Sequence, residues 1–404
     1  MVESQSSRWQ PAGRWAITNG RLILSDRVAV GQAVIIEGER ILALDDEGAL
    51  GDMARFDAGG HYVSPGLVDI HTHGALGHTF NEPSDVAFGA ITRENARRGV
   101  TSLLATVTTG PLADMVQCIE YGEQWMRRQH AGAEVLGIHL EGPYFSLAQR
   151  GAQDPANLRT PDDGSADLLL RQPRALRIVT LAPELPGALE LTSRLARLGI
   201  VAAAGHSDAQ DSQVLAALQR GLRHMIHMWS GQSSTVREGP WRRPGLLEAT
   251  LTFEGFTAEI IADNRHLPPT LMALAYKCLG PDRLCAVSDA TNGAGLPEGT
   301  RFALGDVECQ VEDGVAMLLD GTSFAGSTTL LSQMVPILIK AVGISPVEAI
   351  RMASLTPARV IGADDRKGSL AGGKDADLVL FDDSWAVWQT LIRGQWLGIP
   401  SDRE

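Results

Sequence analysis

The feature that most constrains the fold is a series of eight short apolar runs, spread from residue 66 to residue 289. Most of the runs are apolar at nearly every position, which is typical of strands in a parallel sheet whose two faces are both covered. The pattern therefore predicts a largely parallel sheet. The runs occupy residues 66–70, 99–107, 134–140, 176–182, 199–205, 224–229, 256–262 and 284–289.

Segments with the length and apolar spacing of helices follow five of these runs, and several of them end in basic residues and glycine, a helix stop signal. Two examples are "DVAFGAITRENARRG" and "ALELTSRLARLG". Eight strands alternating with helices over about 300 residues predict an α/β fold, the (β/α)8 or TIM barrel. An open doubly wound sheet is the alternative, but it calls for a glycine-rich phosphate loop after its first strand, and the sequence has none there.

The two ends of the chain follow a different pattern, that of antiparallel strands and hairpins. Residues 14–62 alternate in short pieces separated by Asn-Gly and Glu-Gly turns, and "GSLAGGKDADLVLFD" and "WQTLIRGQWL" repeat this style near the C-terminus. Neither end alone has enough strands for a stable core. We therefore predict that residues 1–62 and 366–404 together form a small β-sandwich domain beside a barrel of residues 63–365.

Charge and composition exclude several classes of partner. The 404 residues include 48 acidic and 35 basic side chains, a net charge of −13, which argues against nucleic acid or an anionic membrane as a main partner. A small anionic substrate remains possible, because a few arginines can dominate one pocket. The four cysteines form no C-x-x-C pair, and no apolar run approaches the ~20 residues needed to cross a bilayer. Together with a polar N-terminus, these observations predict a cytoplasmic protein.

Histidines and carboxylates recur where the apolar runs end. In "GLVDIHTHG" two histidines lie two residues apart, and on a strand such residues point to the same side. Each residue taken singly has an ordinary structural explanation, such as a solvated loop histidine, a helix-capping acid or, for His227, a core histidine comparable to His224 three residues earlier. Because the C-terminal ends of barrel strands meet at one rim, the recurrence predicts a cluster in space. Its members are His71, His73, Glu141, His206, His227 and Asp289.

The residue types in this cluster indicate one chemistry. Four imidazoles and two carboxylates form a ligand set of nitrogen and oxygen without thiolate, which suits zinc and also Fe(II), Mn(II) or Co(II). A metal ion in such a site lowers the pKa of a bound water from about 15.7 towards about 7. Asp289, besides being a candidate ligand, can take a proton from that water and deliver it to a leaving group. The cluster therefore predicts a metal-dependent hydrolase.

Motifs along nearly the whole chain identify a family. They are "SPGLVDIHTHG", "GIHLEGPYF", "VTLAPE", "AAGHSDA", "IIADNRH", "VSDATNGAGLPEG", "FAGSTT", "ASLTPARVIG" and "KGSLAGGKDADLVLFD". With them the chain resembles the amidohydrolase superfamily and, within it, the N-acetylglucosamine-6-phosphate deacetylase family. The resemblance implies a homodimeric enzyme that releases acetate from a small N-acetylated amino sugar, either N-acetylglucosamine-6-phosphate or a close analogue such as N-acetylgalactosamine-6-phosphate.

The resemblance also implies roles for the metal cluster. Glu141, His206 and His227 match the residues that hold the principal metal ion. His71 and His73 match the pair that supports a second ion in some members, with Glu141 bridging the two. One or two divalent ions per chain are therefore expected, with zinc preferred.

Further roles concern the reaction and the substrate. Asp289 matches the family's general base, which then acts as the acid, and His266 matches a residue that touches the substrate. An arginine of the "TVREGPWRRPG" stretch, Arg237 or Arg243, is expected to meet the substrate phosphate. In some members of the family such an arginine crosses from the partner subunit.

The chain departs from the family pattern in segments that face the substrate. The family usually reads H-L-F-N-A-M after its sixth strand, whereas this chain reads "HMWSGQS" and places Trp229, Ser230 and Gly231 there. The family's G-A-H-[DN]-P loop carries a histidine that helps to polarise the substrate, and "GAQDP" places Gln153 at that position. Gln153 can still donate a hydrogen bond, but not a charge-assisted one. These departures indicate retained chemistry on an altered substrate.

Two alternatives follow from these departures. The same site can act on another N-acyl compound, such as an N-acyl-D-amino acid or an amino sugar without phosphate, with the loop arginines binding a carboxylate in the amino acid case. A non-catalytic relative, acting as a structural or partner-binding protein, should have lost metal ligands or the aspartate. All of these residues are present, and the sequence therefore favours an enzyme.

Overall fold

The computed structural model describes residues 11 and 13–397, apart from 129 and 306, and its centre is a sheet of eight parallel strands that follow one another in chain order. Each predicted apolar run overlaps one of these strands, so the prediction of a (β/α)8 barrel is confirmed. From the first to the eighth, the barrel strands are Leu67–Thr72, Val100–Thr108, Glu134–Glu141, Leu176–Leu181, Val201–Ala204, Leu222–Met225, Thr257–Ile261 and Leu284–Val287.

The barrel is closed by contacts between its first and eighth strands. The backbone amide of Asp289 donates to the carbonyl of His71 at 2.9 Å, and the amide of His73 donates to the carbonyl of Ala290 at 2.8 Å. Thr72 and Ala290 form a parallel bridge at the same place. Closure brings the C-terminal ends of all eight strands to one rim, where (β/α)8 enzymes build their active sites.

Helices pack against the barrel through one apolar face. In Ala188–Arg197, for example, the buried side chains Ala188, Leu191 and Leu195 are three and four residues apart, the spacing that places them on one side of a helix. All five predicted helical segments are helices. The α-helices are Asp85–Arg97, Leu112–Met126, Ser165–Leu169, Ala188–Arg197, Asp211–Gln219, Leu246–Thr252, Pro269–Leu279, Leu331–Ile337, Pro346–Met352 and Leu355–Val360, with shorter turns at Glu47–Ala49, Leu147–Gln149, Pro155–Asn157 and Leu338–Val342.

Strands from both ends of the chain form the predicted β-sandwich. One sheet contains Arg14–Thr18, Gln32–Glu37, Arg40–Asp46 and Ala54–Asp57, and the other contains Arg21–Ile23, Val28–Ala29, Tyr62–Pro65, Leu378–Phe381, Val387–Ile392 and Gln395–Trp396. Leu378–Phe381 pairs with Tyr62–Pro65, so the two ends complete each other's sheet. The two sheets enclose a separate apolar core that includes Trp15, Val34, Leu380 and Trp396.

The exact domain boundaries stay a prediction. The proposed border between residues 62 and 63 falls within the strand Tyr62–Pro65. Residues 1–10, 12 and 398–404 of the predicted sandwich domain lie outside the described residues. The pairing of Leu378–Phe381 with Tyr62–Pro65 joins the two ends of the chain in one sheet.

A small antiparallel sheet follows the eighth barrel strand and was not anticipated from the sequence. The signal for it is the dipeptide Asp313-Gly314, whose φ angles of +51° and +84° match the two-residue turn that joins tightly paired strands. Two other short pairs of antiparallel strands follow the first and the sixth barrel strands. The sheet contains Arg301–Leu304, Val307–Glu312, Val315–Leu318 and Phe324–Ser327; the short pairs are Gly74–Ala75 with His78–Thr79 and Val236–Glu238 with Trp241–Arg243.

None of the helices in the described part of the chain is both long and apolar enough to span a bilayer.

A buried ion cluster joins the bottom of the barrel to the sandwich. The ammonium of Lys367 lies 2.6 Å from Glu134 Oε2, 2.9 Å from Asp375 Oδ2 and 2.6 Å from Asp377 Oδ2, and its side chain is 1% exposed. Glu134 begins the third barrel strand, whereas Asp377 precedes the sandwich strand Leu378–Phe381. Arg366 supplies a second cation to two of these carboxylates, those of Glu134 and Asp375. The cluster therefore connects the two parts of the chain.

Replacing Lys367 by Met is expected to lower the free energy of unfolding by about 3–5 kcal/mol, because removing one partner leaves buried carboxylates without their cation. Chemical denaturation measures this change. The matched control is Lys277→Met, since Lys277 is exposed on the helix Pro269–Leu279 and its loss should change stability by less than about 0.5 kcal/mol. Equal stability of the two variants would show that the cluster contributes nothing.

Candidate functional site

The structure brings the six residues of the predicted cluster together at the C-terminal rim of the barrel. All are buried, and each lies within a barrel strand or at most two residues beyond one. Glu141, the last residue of the third strand, is central: its Oε1 lies 3.2 Å from Nε2 of His206 and 3.2 Å from Nε2 of His227. These residues come from the third, fifth and sixth strand ends and meet only because the barrel closes.

The histidine pair of the first strand and Asp289 complete the cluster. Nε2 of His73 lies 3.1 Å from Asp289 Oδ1 and 3.5 Å from Glu141 Oε2. Nε2 of His71 lies 3.5 Å from Asp289 Oδ1 and 3.7 Å from Glu141 Oε1. Both rings therefore face the same two carboxylates, as their spacing on one strand face predicts.

Hydrogen bonds fix the orientation of the His206 and His227 rings. Nδ1 of His206 lies 2.9 Å from the carbonyl oxygen of Gln149, and Nδ1 of His227 lies 3.1 Å from that of Ser230. Because a carbonyl only accepts hydrogen bonds, Nδ1 carries a hydrogen in each ring, and Nε2 on the other side of the ring faces the Glu141 carboxylate. A ring nitrogen and a carboxylate oxygen that face one another in this way are stabilised by a metal ion or a proton between them.

The donor set fits a divalent metal ion. Nε2 of His71 is buried and, among the described residues, has no hydrogen-bond partner. The ligand atoms of His71, Glu141 and His227 lie within 4.8 Å of one another, and so do those of His71, His73 and Asp289. Imidazole nitrogens with carboxylate oxygens suit zinc and also Fe(II), Mn(II) or Co(II). This cluster can therefore hold a metal ion.

The electrostatics of the cluster keep its carboxylates ionised. Burial raises the pKa of Glu141, but the imidazoles of His206, His227, His73 and His71 outweigh burial and hold it well below its ordinary value. Burial likewise opposes ionisation of Asp289, and His71 and His73 lower its pKa. Burial lowers the pKa of His71, yet nearby carboxylates raise it to about 10. The cluster is therefore an anionic, buried environment that favours positive charge.

Three residues of the cluster adopt the left-handed backbone region that non-glycine residues rarely enter. The φ angles are +47° for His206, +22° for His227 and +47° for Asp289. The amide of Asp289 is held by the carbonyl of His71, and the amide of Ser207, next to His206, is held by the carbonyl of Gly231. Backbone strain of this kind persists where the surroundings over-determine it, which is common at functional sites.

Gln153 contacts the cluster directly. Its Nε2 donates to Glu141 Oε2 at 3.3 Å, and its Oε1 accepts the hydroxyl of Thr108 at 3.0 Å. Thr108 thereby fixes which end of the amide faces Glu141. Gln153 thus lies beside the cluster, with an amide hydrogen directed at Glu141.

The segment after the sixth strand supports the cluster through its backbone. Trp229 is half-buried against the barrel core. The carbonyl of Ser230 holds the His227 ring, and Gly231, with φ +59°, lies so close to the other ring that a Cβ there would be 2.7 Å from Nδ1 of His206. Ser230 and Gly231 therefore contact the cluster histidines, a role the sequence had not indicated for them.

Among the described residues, no hydrogen bond joins the remaining predicted substrate residues to the cluster. Nδ1 of His266 lies 2.7 Å from Asp263 Oδ2, and its ring contacts the ring of Phe324. Arg237 and Arg243 lie in the exposed hairpin Val236–Glu238 with Trp241–Arg243. Their described hydrogen bonds go to Gly239 and Glu238 of the same hairpin, so within this chain the structure does not bring these two arginines into the cluster.

Comparisons with known proteins agree with this geometry. The model of the amidohydrolase family matches residues 62–397. The chain is similar to N-acetylgalactosamine-6-phosphate deacetylase of Escherichia coli O157:H7 (35% identical, 82% of this chain and 87% of that protein) and to N-acetylglucosamine-6-phosphate deacetylase of Vibrio furnissii (30%, 88% and 90%). The crystal structure of N-acetylglucosamine-6-phosphate deacetylase from Pasteurella multocida aligns with a TM-score of 0.89 at 27% identity, covering 95% of this chain and 100% of that one.

The chain belongs to the amidohydrolase family. It is therefore a hydrolase acting on an amide bond, as its motifs predicted, with a buried cluster of histidines and carboxylates that can bind metal.

Three buried polar residues deeper in the barrel of this amidohydrolase were not predicted from the sequence to belong to the site. Glu259, an acid in the apolar run 256–262, lies 2.8 Å from Nδ1 of His71. His139 is buried, and burial lowers its pKa to about 3, whereas burial raises the pKa of Asp69 to about 7. The available signal was a charged residue inside an otherwise apolar strand, which must find a partner when buried.

Replacing Gly231 by Ala in the amidohydrolase is expected to lower kcat by about 10²-fold, because displacing a reacting group by about 1 Å has an effect of that size. The added methyl group would have to push aside the ring of His206. Steady-state kinetics together with metal analysis measures the change.

The matched control is Gly38→Ala. Gly38 also has φ +59°, but a Cβ there would meet no atom within 4 Å. Both variants carry the left-handed strain of about 1–2 kcal/mol, and only Gly231→Ala should lose activity. Similar activity in the two variants would mean that the contact with His206 has no role.

Proposed function

We propose that this amidohydrolase removes the acetyl group of an N-acetylated amino sugar 6-phosphate, N-acetylglucosamine-6-phosphate or N-acetylgalactosamine-6-phosphate, releasing acetate and the free amine. The observation that carries the proposal is the convergence of Glu141, His206, His227 and Asp289 at the barrel rim. The names of the relatives, at 35% and 30% identity over most of the chain, support the substrate class.

For the metal, we propose that Glu141, His206 and His227 hold the principal ion and that His71 and His73 support a second. Zinc is the preferred ion, with Fe(II), Mn(II) or Co(II) as alternatives. When bound, such an ion acts as a Lewis acid that polarises a carbonyl and lowers the pKa of a water molecule. The buried nitrogens and carboxylates described above support this assignment.

Asp289 is the proposed general base and acid, and its depressed pKa keeps it ionised and able to accept a proton. It takes one proton from the attacking water, whose oxygen bonds to the acetyl carbonyl carbon. It then delivers that proton to the amide nitrogen, so that the C–N bond breaks with a neutral amine as leaving group. His73, 3.1 Å from Oδ1, keeps the carboxylate pointed into the site.

For the substrate, we propose contacts from Gln153 and His266 and from the segment containing Trp229, Ser230 and Gly231. The amide of Gln153 is the donor nearest to Glu141 among these residues and would meet the acetyl carbonyl. His266 and Trp229 offer a donor and an aromatic face to the sugar.

We propose further that the enzyme is a homodimer. In it, Arg237 or Arg243 of one subunit binds the phosphate of the substrate held in the site of the other subunit. The hairpin carrying these arginines is exposed, and its Trp241 is 68% exposed, which supports a role outside its own chain. A cytoplasmic location is proposed because all four cysteines are free thiols, as is usual in a reducing compartment.

The test is acetate release by the purified protein loaded with zinc, with N-acetylglucosamine-6-phosphate, N-acetylgalactosamine-6-phosphate, N-acetylglucosamine and an N-acyl-D-amino acid supplied in parallel. The proposal expects acetate from at least one of the phosphorylated sugars and competition by inorganic phosphate. Acetate from neither would overturn the substrate assignment. Turnover of the amino acid derivative, indifferent to phosphate, would establish the alternative amide substrate in its place.

A further inference from the structure

Glu259 is a buried carboxylate at the centre of the barrel that the proposed reaction does not use. It lies in the seventh strand, Thr257–Ile261, and its side chain is 0% exposed. Burial raises the pKa of Glu259, but His71 and His224 outweigh burial and hold it well below its ordinary value. A buried carboxylate is unfavourable unless it is paired and hydrogen-bonded, so its contacts indicate its purpose.

The two oxygens of Glu259 contact different groups. Oε2 lies 2.8 Å from Nδ1 of His71 and accepts the backbone amide of His227 at 3.3 Å. Oε1 lies 3.0 Å from Nε2 of His224, whose Nδ1 lies 2.7 Å from the hydroxyl of Thr257. One oxygen thus faces the proposed metal cluster, and the other faces only supporting residues.

The contact with His71 sets the ring's tautomer and direction. Oε2 of Glu259 accepts the backbone amide of His227, so it is an acceptor, and Nδ1 of His71 donates to it. Nε2, on the opposite side of the ring, then points between Glu141 and Asp289, where it has no hydrogen-bond partner among the described residues. Carboxylates that hold ligating histidines in this way fix the ring and raise its basicity as a ligand.

The contact with His227 holds the other half of the cluster. The φ of His227 is +22°, a conformation that needs support from its surroundings. Oε2 of Glu259 accepts the amide of His227, and the backbone carbonyl of Glu259 accepts the amide of Met228 at 2.9 Å. One residue of the seventh strand therefore ties down the first strand and the turn after the sixth.

We propose that Glu259 is a positioning residue that fixes the ring of His71 and the turn of His227, and that both proposed metal positions depend on it. This inference rests on the proposed function only in taking the cluster as a metal site. It requires no particular substrate, and its tests use none.

The first test compares zinc affinity, by competition with a chelator, in wild type, Glu259→Gln and His224→Asn. Glu259→Gln keeps the shape and removes the charge, and zinc should bind about 10–100-fold more weakly. His224→Asn removes the contact of Oε1 and that of Nδ1 with Thr257 but leaves both contacts of Oε2, and its affinity should stay within about threefold of wild type. A purely structural role predicts similar losses in both variants, and that outcome would overturn the proposal.

Glu259→Asp separates charge from position. It keeps the charge but shortens the side chain by one methylene, so the carboxylate no longer reaches both His71 and His227. We expect its zinc affinity to fall towards that of Glu259→Gln. Wild-type zinc affinity in Glu259→Asp would show that only the charge of Glu259 matters and that the proposed positioning role is wrong.

A spectroscopic measurement on the unmutated chain keeps the proposal testable even if the variants fail to fold. Histidine-selective 15N labelling of the zinc-free protein should show a strongly deshielded Nδ1–H for His71, hydrogen-bonded to a carboxylate, with assignment from through-space contacts to the neighbouring ring of His139, 4.5 Å away between ring centroids. A His71 ring without a hydrogen on Nδ1 would contradict the proposal. If zinc affinity and this signal behave as expected while no acetate is formed, only the substrate assignment fails.

Discussion

Asp289→Asn should lower kcat by a factor of about 10²–10⁴, the contribution typical of a positioned general acid or base. An amide cannot take the proton of the attacking water or return it to the leaving amine. KM should change little, because Asp289 acts on the reacting atoms rather than on the sugar. Acetate release with the best phosphorylated sugar, with zinc content measured in the same samples, provides both constants.

A control variant and a measurement of zinc content make this test specific. Asp26→Asn is the matched control, because Asp26 is an exposed aspartate of the sandwich, and its loss should leave kcat unchanged. Zinc content separates catalysis from binding, since Asp289 is also a candidate ligand. If Asp289→Asn keeps its zinc and its kcat falls less than tenfold, Asp289 is not the general base.

Removing the metal ion should abolish activity and destabilise the fold. In the metal-free chain the buried nitrogens and the Glu141 carboxylate face one another without a shared cation. At a zinc concentration of 1,000 times Kd, binding should add about 4 kcal/mol to the free energy of unfolding. Denaturation with and without zinc measures the difference, and added zinc should restore the activity lost on chelation.

Glu141→Gln should remove most of the stabilisation of the fold by zinc. Glu141 contacts both His206 and His227 and lies within 3.7 Å of His71. We expect zinc to add little stability to this variant and its activity to match that of the chelated wild type. Glu120→Gln, at an exposed position of the helix Leu112–Met126, is the control and should retain the full zinc effect. Equal stabilisation of all three proteins would place the metal elsewhere.

The sequence determined the barrel and the location of the site. Strands of a parallel sheet covered on both faces must be apolar throughout, so eight such runs were readable from local pattern alone. A closed barrel brings the C-terminal strand ends to one rim, so His71, Glu141 and Asp289 could be expected to meet before any distance was known. The resemblance of the motifs to a known family then implied roles that spacing alone left open.

Other features are decided only by the tertiary structure. Ser230 and Gly231 contact the cluster histidines because the turn after the sixth strand folds back on the rim, which no local pattern encodes. The exposed position of Arg237 and Arg243 likewise depends on where their hairpin leaves the barrel.

Glu259 shows most clearly why such contacts cannot be predicted from local sequence. It is 188 residues from His71 in the chain, yet the two side chains form a hydrogen bond of 2.8 Å. Such a contact depends on closure of the barrel and on the register of its strands, both of which are global properties. Local periodicity could show that an acid is buried in the seventh strand, but only the folded barrel selects its partner.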